Sequence, residues 1–137
     1  MKPVNKRFPV TTPFGRKGDW LAGYHTGDDY ACPVGTEVRN TKRGRVVTVG
    51  HMDKFYGNYV VVQSWTKKGP VRSYYCHLSS IRVRQGKRIK NHVILGLSGE
   101  TGNATGPHLH YEERTFPFGY WNHRKPELAA WMPRKKK

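Results

Sequence analysis

Histidine and aspartate recur in this chain at spacings that could hold a metal ion and work a hydrolytic step. In Gly23-Tyr24-His25-Thr26-Gly27-Asp28-Asp29, His25 and Asp29 lie four residues apart and share a face in either a helix or an extended segment. Gly23 and Gly27 disfavour helix, which predicts an extended stretch projecting both side chains one way, with Asp28 on the opposite face. An imidazole nitrogen and a carboxylate oxygen placed like this suit zinc. In Thr105-Gly106-Pro107-His108-Leu109-His110-Tyr111-Glu112, a strand would bring His108 and His110 to one face and turn Leu109 and Tyr111 to the other. A glycine-rich stretch, 99–107, precedes them, and His77 follows the strand-like Ser73-Tyr74-Tyr75-Cys76. Each pair alone also fits an ordinary polar surface. Together they supply a His/His/Asp ligand set with imidazoles to spare, the inventory of zinc-dependent hydrolysis.

The elements that must position these groups read as strands. Short runs rich in Val, Tyr and Thr lie between frequent Gly and Pro turn signals, which predicts strands over 36–40, 45–50, 59–65, 71–78, 93–97 and 108–114. The fold class is all-β, with antiparallel sheets. One short helix is predicted, 126–132, with Pro126 in its first turn and Pro133 ending it. A length of 137 residues fits one domain, and neither an internal repeat nor a linker interrupts it. By strand alternation Cys76 faces away from His77; Cys32 and Cys76 read as reduced and buried. Trp20, Tyr24, Tyr56, Trp65, Tyr74 and Trp121 read as mainly core, with Trp20, Tyr56 and Trp121 candidates to line a groove. His51, His92 and His123 read as exposed bystanders.

Composition sets the partner class. The chain carries 25 basic and 9 acidic residues, a net charge of +16, which calls for a polyanionic surface: nucleic acid, an anionic membrane or an anionic cell wall. The basic residues at 2–17, 42–45, 82–90 and 134–137 read as mostly turns and tails acting by long-range attraction. No apolar run approaches the ~18 residues of a membrane span. The start, MKPVNKRFPV, lacks the apolar region of a secretory signal.

The three motifs in order, His25-x-x-x-Asp29, then Tyr75-Cys76-His77-Leu78-Ser79, then Gly102-Asn103-Ala104-Thr105-Gly106-Pro107-His108-Leu109-His110-Tyr111-Glu112, closely resemble the lysostaphin/LytM-type zinc endopeptidases, peptidase family M23. The resemblance extends to Thr11-Thr12-Pro13-Phe14-Gly15-Arg16, which looks like the family's opening strand, and covers about 11–113. It implies a compact LytM-like peptidase domain filling 1–137, with a basic tail at 134–137. It implies one Zn2+ per chain held by His25, Asp29 and His110, with His77 and His108 as catalytic histidines that are not ligands. Their division of labour stays open, with His108 leaned towards as base and His77 as oxyanion partner. Glu112 reads either as a partner of His110 from outside the ligand set or as a plain surface carboxylate. The tyrosine that some family members carry several residues before the first ligand has no counterpart in Gly18-Asp19-Trp20-Leu21.

The implied function is hydrolysis of the peptide cross-links of bacterial peptidoglycan. The partners are the cross-link peptide and the anionic wall, with no nucleic acid and no transmembrane segment, and the expected state is a monomer. The bond could be in a glycine bridge or between D-alanine and a diamino acid. The setting expected is a phage endolysin or virion-associated lysin made in the host cytoplasm and released, against a processed and secreted bacterial enzyme. A basic, non-catalytic wall- or nucleic-acid-binding domain is the alternative. Against it, no nucleic-acid module signature accompanies the charge, and all five metal and catalytic positions are kept.

Overall fold

The computed structural model describes residues 2–128, which form ten strands and one 3-10 turn. The strands are β1 (Val10–Thr12), β2 (Asp28–Ala31), β3 (Glu37–Arg39), β4 (Gly44–Asp53), β5 (Gly57–Thr66), β6 (Gly69–Ile81), β7 (Arg88–Ile89), β8 (Ile94–Ser98), β9 (His108–Thr115) and β10 (His123–Arg124), with the 3-10 turn at Tyr120–Asn122. All pairings are antiparallel, in the order β1-β2-β9-β6-β5-β4-β7; β10 adds to β9, and β8 joins β6 to β3. Each of the six expected strands is present. β7 and β10 were not anticipated, because two residues are too few for a period to register. No helix among the described residues is long and apolar enough to cross a membrane.

The expected helix at 126–132 does not start. Residues 126–128 are non-helical, and the Glu127 N–H donates to the Glu113 carboxylate at 3.1 Å, which pins this segment to the sheet. Residues 129–132, and the basic tail 134–137, lie outside the described residues.

β6 organises the sheet. Along one edge it pairs with β5. Along the other, residues Val71–Cys76 pair with β9, and Leu78–Ile81 pair with β8. His77 sits at the change of partner with φ 66°, a left-handed conformation that costs a non-glycine residue roughly 1–2 kcal/mol. Alternation breaks there, so His77 turns to the face that Cys76 occupies. The expectation that the two point apart therefore fails. Cys76 pairs with His110 on that same face, free and fully buried, and burial pushes its thiol up; Cys32 is also free and buried.

Two apolar clusters lie on opposite faces. The larger holds Val38, Val46, Val60, Val62, Tyr75, Leu95, Leu109 and Tyr111; the smaller, beneath the histidines, holds Val61, Tyr74 and Cys76. Buried phenols need polar partners at their tips. Tyr75 accepts from the Thr41 N–H at 2.9 Å, and Tyr111 lies 2.8 Å from Thr41 Oγ1. Glu113, fully buried on this inner face, accepts from Lys42, the Tyr111 hydroxyl and Arg124 Nε (3.0 Å). Trp65, read as core, is instead 77% exposed at the far end of β5, where the small cluster has already ended.

Burial alone would raise the Glu113 carboxyl, but the Lys42 ammonium and the hydrogen bonds from Lys42, Tyr111 and the Glu127 N–H outweigh it and hold it below the usual carboxylate range. A carboxyl depressed by folding stabilises above its unfolded pKa of about 4.3 and loses that contribution as pH falls through the folded value. Glu113→Gln should therefore cost about 3–5 kcal/mol at pH 7, by stranding Lys42 and Arg124. The gap from wild type should close as pH drops below about 4.3. Denaturant melts across pH 3–7 check this; a gap independent of pH would contradict it.

Candidate metal centre and catalytic face

Two adjacent strands carry the centre. β2 and β9 pair with Asp29 opposite His110, and the segment before β2 brings in His25. That close approach needs Gly27: a Cβ there would sit 2.3 Å from the Tyr111 carbonyl oxygen and 3.0 Å from the His110 ring. His25 Nε2 lies 3.2 Å from Asp29 Oδ2, and His110 Nδ1 lies 2.9 Å from Asp29 Oδ1. The ligand atoms of His25, Asp29 and His110 all fall within 4.8 Å of one another. Two imidazole nitrogens and a carboxylate, with neither Lys nor Arg bonded to Asp29 among the described residues, are a donor set that fits a divalent metal. Three protein ligands leave a coordination position open, the pattern of a catalytic site. His25 Nδ1 is buried and unpartnered among the described residues, so its Nε2 is the nitrogen aimed into the cluster.

Glu112 is buried, not a surface carboxylate, and it orients His110. It accepts from Thr26 Oγ1 at 2.8 Å and Arg114 Nε at 2.6 Å, and its Oε1 lies 3.0 Å from His110 Nε2. A proton shared on the Nε2 side leaves Nδ1 as the ligand atom. Burial would raise Glu112 and lower His110; their mutual contact, with Arg114 on one side and Asp29 on the other, reverses both, to about 2 and about 9. Asp29 would likewise be raised by burial, but His110 and His25 hold it well below the usual carboxylate range. Arg114 also donates to the Tyr56 hydroxyl at 2.8 Å, and the Tyr56 ring stacks parallel to His110.

His77 and His108 stand beside this cluster with ring centroids 4.7 Å apart. His77 Nδ1 lies 2.7 Å from the Thr101 carbonyl, and His108 Nδ1 lies 2.9 Å from the Gly106 carbonyl. A carbonyl can only accept, so both rings carry the proton on Nδ1 and present Nε2. The loop that supplies these carbonyls is fastened at Gly102 (φ 77°), where a Cβ would meet the Gly57 nitrogen at 2.3 Å. Burial pulls His77 down to about 4, outweighing the Thr101 hydrogen bond.

The structure thus brings His25, Asp29, His77, His108 and His110 to one face. Asp28 turns away and accepts from the Phe14 N–H at 2.8 Å. Trp20 rests against His25 with centroids 4.9 Å apart, while Tyr24 packs on Phe14 and His123. His51 and His92 are exposed as expected, but His123 is buried, because β10 pairing folds it among Phe14, Tyr24 and Tyr120. Thr26 and Arg114 were not singled out from sequence. Arg114 was within reach, since His108, His110, Glu112 and Arg114 keep the period of two.

The description "Peptidase family M23" matches residues 23–124. The peptidoglycan DD-endopeptidase ShyA of Vibrio cholerae is 43% identical over 88 residues, 64% of this chain and 20% of ShyA. The glycyl-glycine endopeptidase ALE-1 of Staphylococcus capitis is 38% identical over 106 residues, 77% of this chain and 28% of ALE-1. The catalytic domain of lysostaphin, an antimicrobial peptidase from Staphylococcus simulans, superposes with a TM-score of 0.78 at 29% identity, covering 88% of this chain and 90% of that domain. The fold and the His/Asp/His cluster define a metallopeptidase domain. The chain belongs to peptidase family M23. It spans between a fifth and three tenths of the length of the two curated relatives named.

Glu112 makes a specific demand on the metal. Carboxylates that orient a histidine ligand are typically worth 10–100-fold in metal affinity. Glu112→Ala should therefore raise the metal dissociation constant by about that factor. Titration against a chelating indicator reads it, and an unchanged constant would remove Glu112 from the centre.

Proposed function

We propose that this chain is a zinc-dependent endopeptidase that cuts the peptide cross-links of bacterial peptidoglycan at the cell wall. The observation that carries the reading is the open three-ligand cluster with two further imidazoles presenting Nε2 beside it. The ligands are His25, Asp29 and His110. Held by these three residues, a zinc ion would supply a bound water with a pKa of about 7 and a Lewis acid for the scissile carbonyl. Tyr56, against His110, and Trp20, against His25, border the face on which an extended peptide would lie. The net charge of +16 supports attraction to an anionic wall.

The two free histidines divide the proton work. One accepts the proton of the attacking water at Nε2, and the other donates from Nε2 to the oxygen that gains charge. Both rings present Nε2 for these two roles, and the geometry allows either division between His77 and His108.

The test combines metal content with product analysis. His110→Ala should lose stoichiometric zinc. His77→Ala and His108→Ala should keep zinc and lose roughly 10²–10⁴-fold in turnover. Mass analysis of muropeptides released from glycine-bridged and directly cross-linked walls should identify the bond. Zinc retention in His110→Ala would overturn the ligand set. Normal turnover in both other variants would overturn the mechanism, and intact cross-links in both walls would overturn the function.

A further inference from the structure

The strand registers line up basic residues on the catalytic face. Arg88 of β7 pairs with Arg45 of β4, Arg45 with Gln63 of β5, Gln63 with Arg72 of β6, and Arg72 with Arg114 of β9. Paired residues share a face, and here it is the one opposite the large core. Ile89, Val46 and Val62, the immediate neighbours of Arg88, Arg45 and Gln63, are buried in that core. Arg114 stands on His110's face, two residues beyond Glu112. One row of four arginines and a glutamine therefore runs about 19 Å across five strands, at about 4.8 Å per strand, and ends beside the metal centre.

This row departs from the expectation that the basic segments lie mostly in turns and tails, and it is costly. Like charges directly opposite one another on neighbouring strands destabilise a sheet. Arg114 is neutralised by Glu112. Arg72 is held by Gln63 at 2.9 Å and lies over Phe118. Arg45 and Arg88 are exposed and directly opposed, and neither has an ion pair among the described residues. They line a groove of about 570 Å³ with Arg43, Gln63, Trp65 and Lys90, and no Asp or Glu lines it. Trp65 is largely exposed and offers a flat apolar surface beside the charges.

We infer that this row is a binding track for a phosphodiester polymer of the cell wall, a teichoic-acid-type polyol phosphate, which holds the wall against the catalytic face. The inference rests on the wall-hydrolase reading. Three features select this occupant. Arginine forks match phosphate oxygens in pairs, which lysine ammonium groups do not. A line of closely spaced cations fits a polymer with a charge on every repeat better than the sparser carboxylates of cross-link peptides. Among the described residues Trp65 is the single aromatic lining the groove, enough for a polyol or sugar face, whereas proteins that track single-stranded nucleic acid stack successive bases on several aromatics.

The experiment measures binding and cleavage separately. Zinc-loaded protein is titrated with poly(glycerol phosphate), single-stranded DNA and poly-glutamate over a salt series. Wild type, Arg45→Gln/Arg88→Gln and a charge-matched control, Lys6→Gln/Lys125→Gln, are compared after melting curves confirm folding. The arginine pair should weaken poly(glycerol phosphate) binding at least tenfold at low salt and reduce the slope of log K against log salt by about 2, roughly one per arginine. The lysine control should stay within threefold of wild type. Hydrolysis of a short uncharged cross-link peptide should be equal in all three proteins. Equal loss in the two double variants would overturn the track. Tighter, arginine-dependent binding of DNA would assign the row to nucleic acid, and equal affinity for poly-glutamate would reduce it to plain charge; either result overturns the proposal. Absence of peptide cleavage in all three proteins would sink the hydrolase reading and leave the binding result standing.

Discussion

Everything at the site depends on β6 having to satisfy two neighbours along one edge. It hydrogen-bonds β9 through Cys76 and β8 from Leu78 onwards, and the change of partner falls on His77. A strand cannot transfer its hydrogen bonds from one neighbour to the next without a break in its pleat. The left-handed turn of His77 is that break. It opens the sheet where the glycine-rich loop leaves β8 and enters β9, and it swings an imidazole to the metal side. The loop then closes the arrangement through the Thr101 carbonyl on His77 Nδ1. The strain at one residue and the convergence of five side chains have a common cause.

The local chemistry of the site was legible in the sequence; its long-range geometry was less so. Period two placed His108, His110 and Glu112 on one face, and glycines at 23 and 27 predicted the extended run of His25 and Asp29. Alternation failed at His77, because a change of partner strand depends on residues about 20 and 30 positions away and leaves no mark in the local pattern. The same limit explains Trp65 and His123. Whether an aromatic or a histidine is covered depends on which strands arrive beside it, and β10, which buries His123, is only two residues long. The helix expected at 126–132 had sound local signals and lost its start to a tertiary hydrogen bond from Glu127 to Glu113.

Buried charge is distributed by face. On the metal side, Asp29, His110, Glu112 and Arg114 form a chain of alternating sign. On the core side, Glu113 gathers Lys42 and Arg124, beside one hydroxyl network that joins Tyr75 and Tyr111 through Thr41. Composition records only an excess of basic residues; the fold sorts a few of them into neutralised pairs, such as Arg114 with Glu112, and leaves others, such as Arg45 and Arg88, without an ion pair among the described residues. The same net charge therefore contains both cations that hold the fold together through ion pairs and cations that face solvent.

Adjacent carboxylates at 112 and 113, buried on opposite faces of β9, have one further consequence. A strand slipped by a single residue would exchange its two faces. Glu113 would turn to the metal side, away from Lys42 and Arg124, and Glu112 would enter the aromatic core away from Thr26. Tyr111 would be carried out of its hydroxyl network and His110 into it. In an ordinary valine-rich strand such a shift costs some packing; here it would leave several charged groups buried without partners at once. The side chains that equip this strand for chemistry also act as its proofreading device, because a mispaired sheet would strand buried charge as well as lose packing.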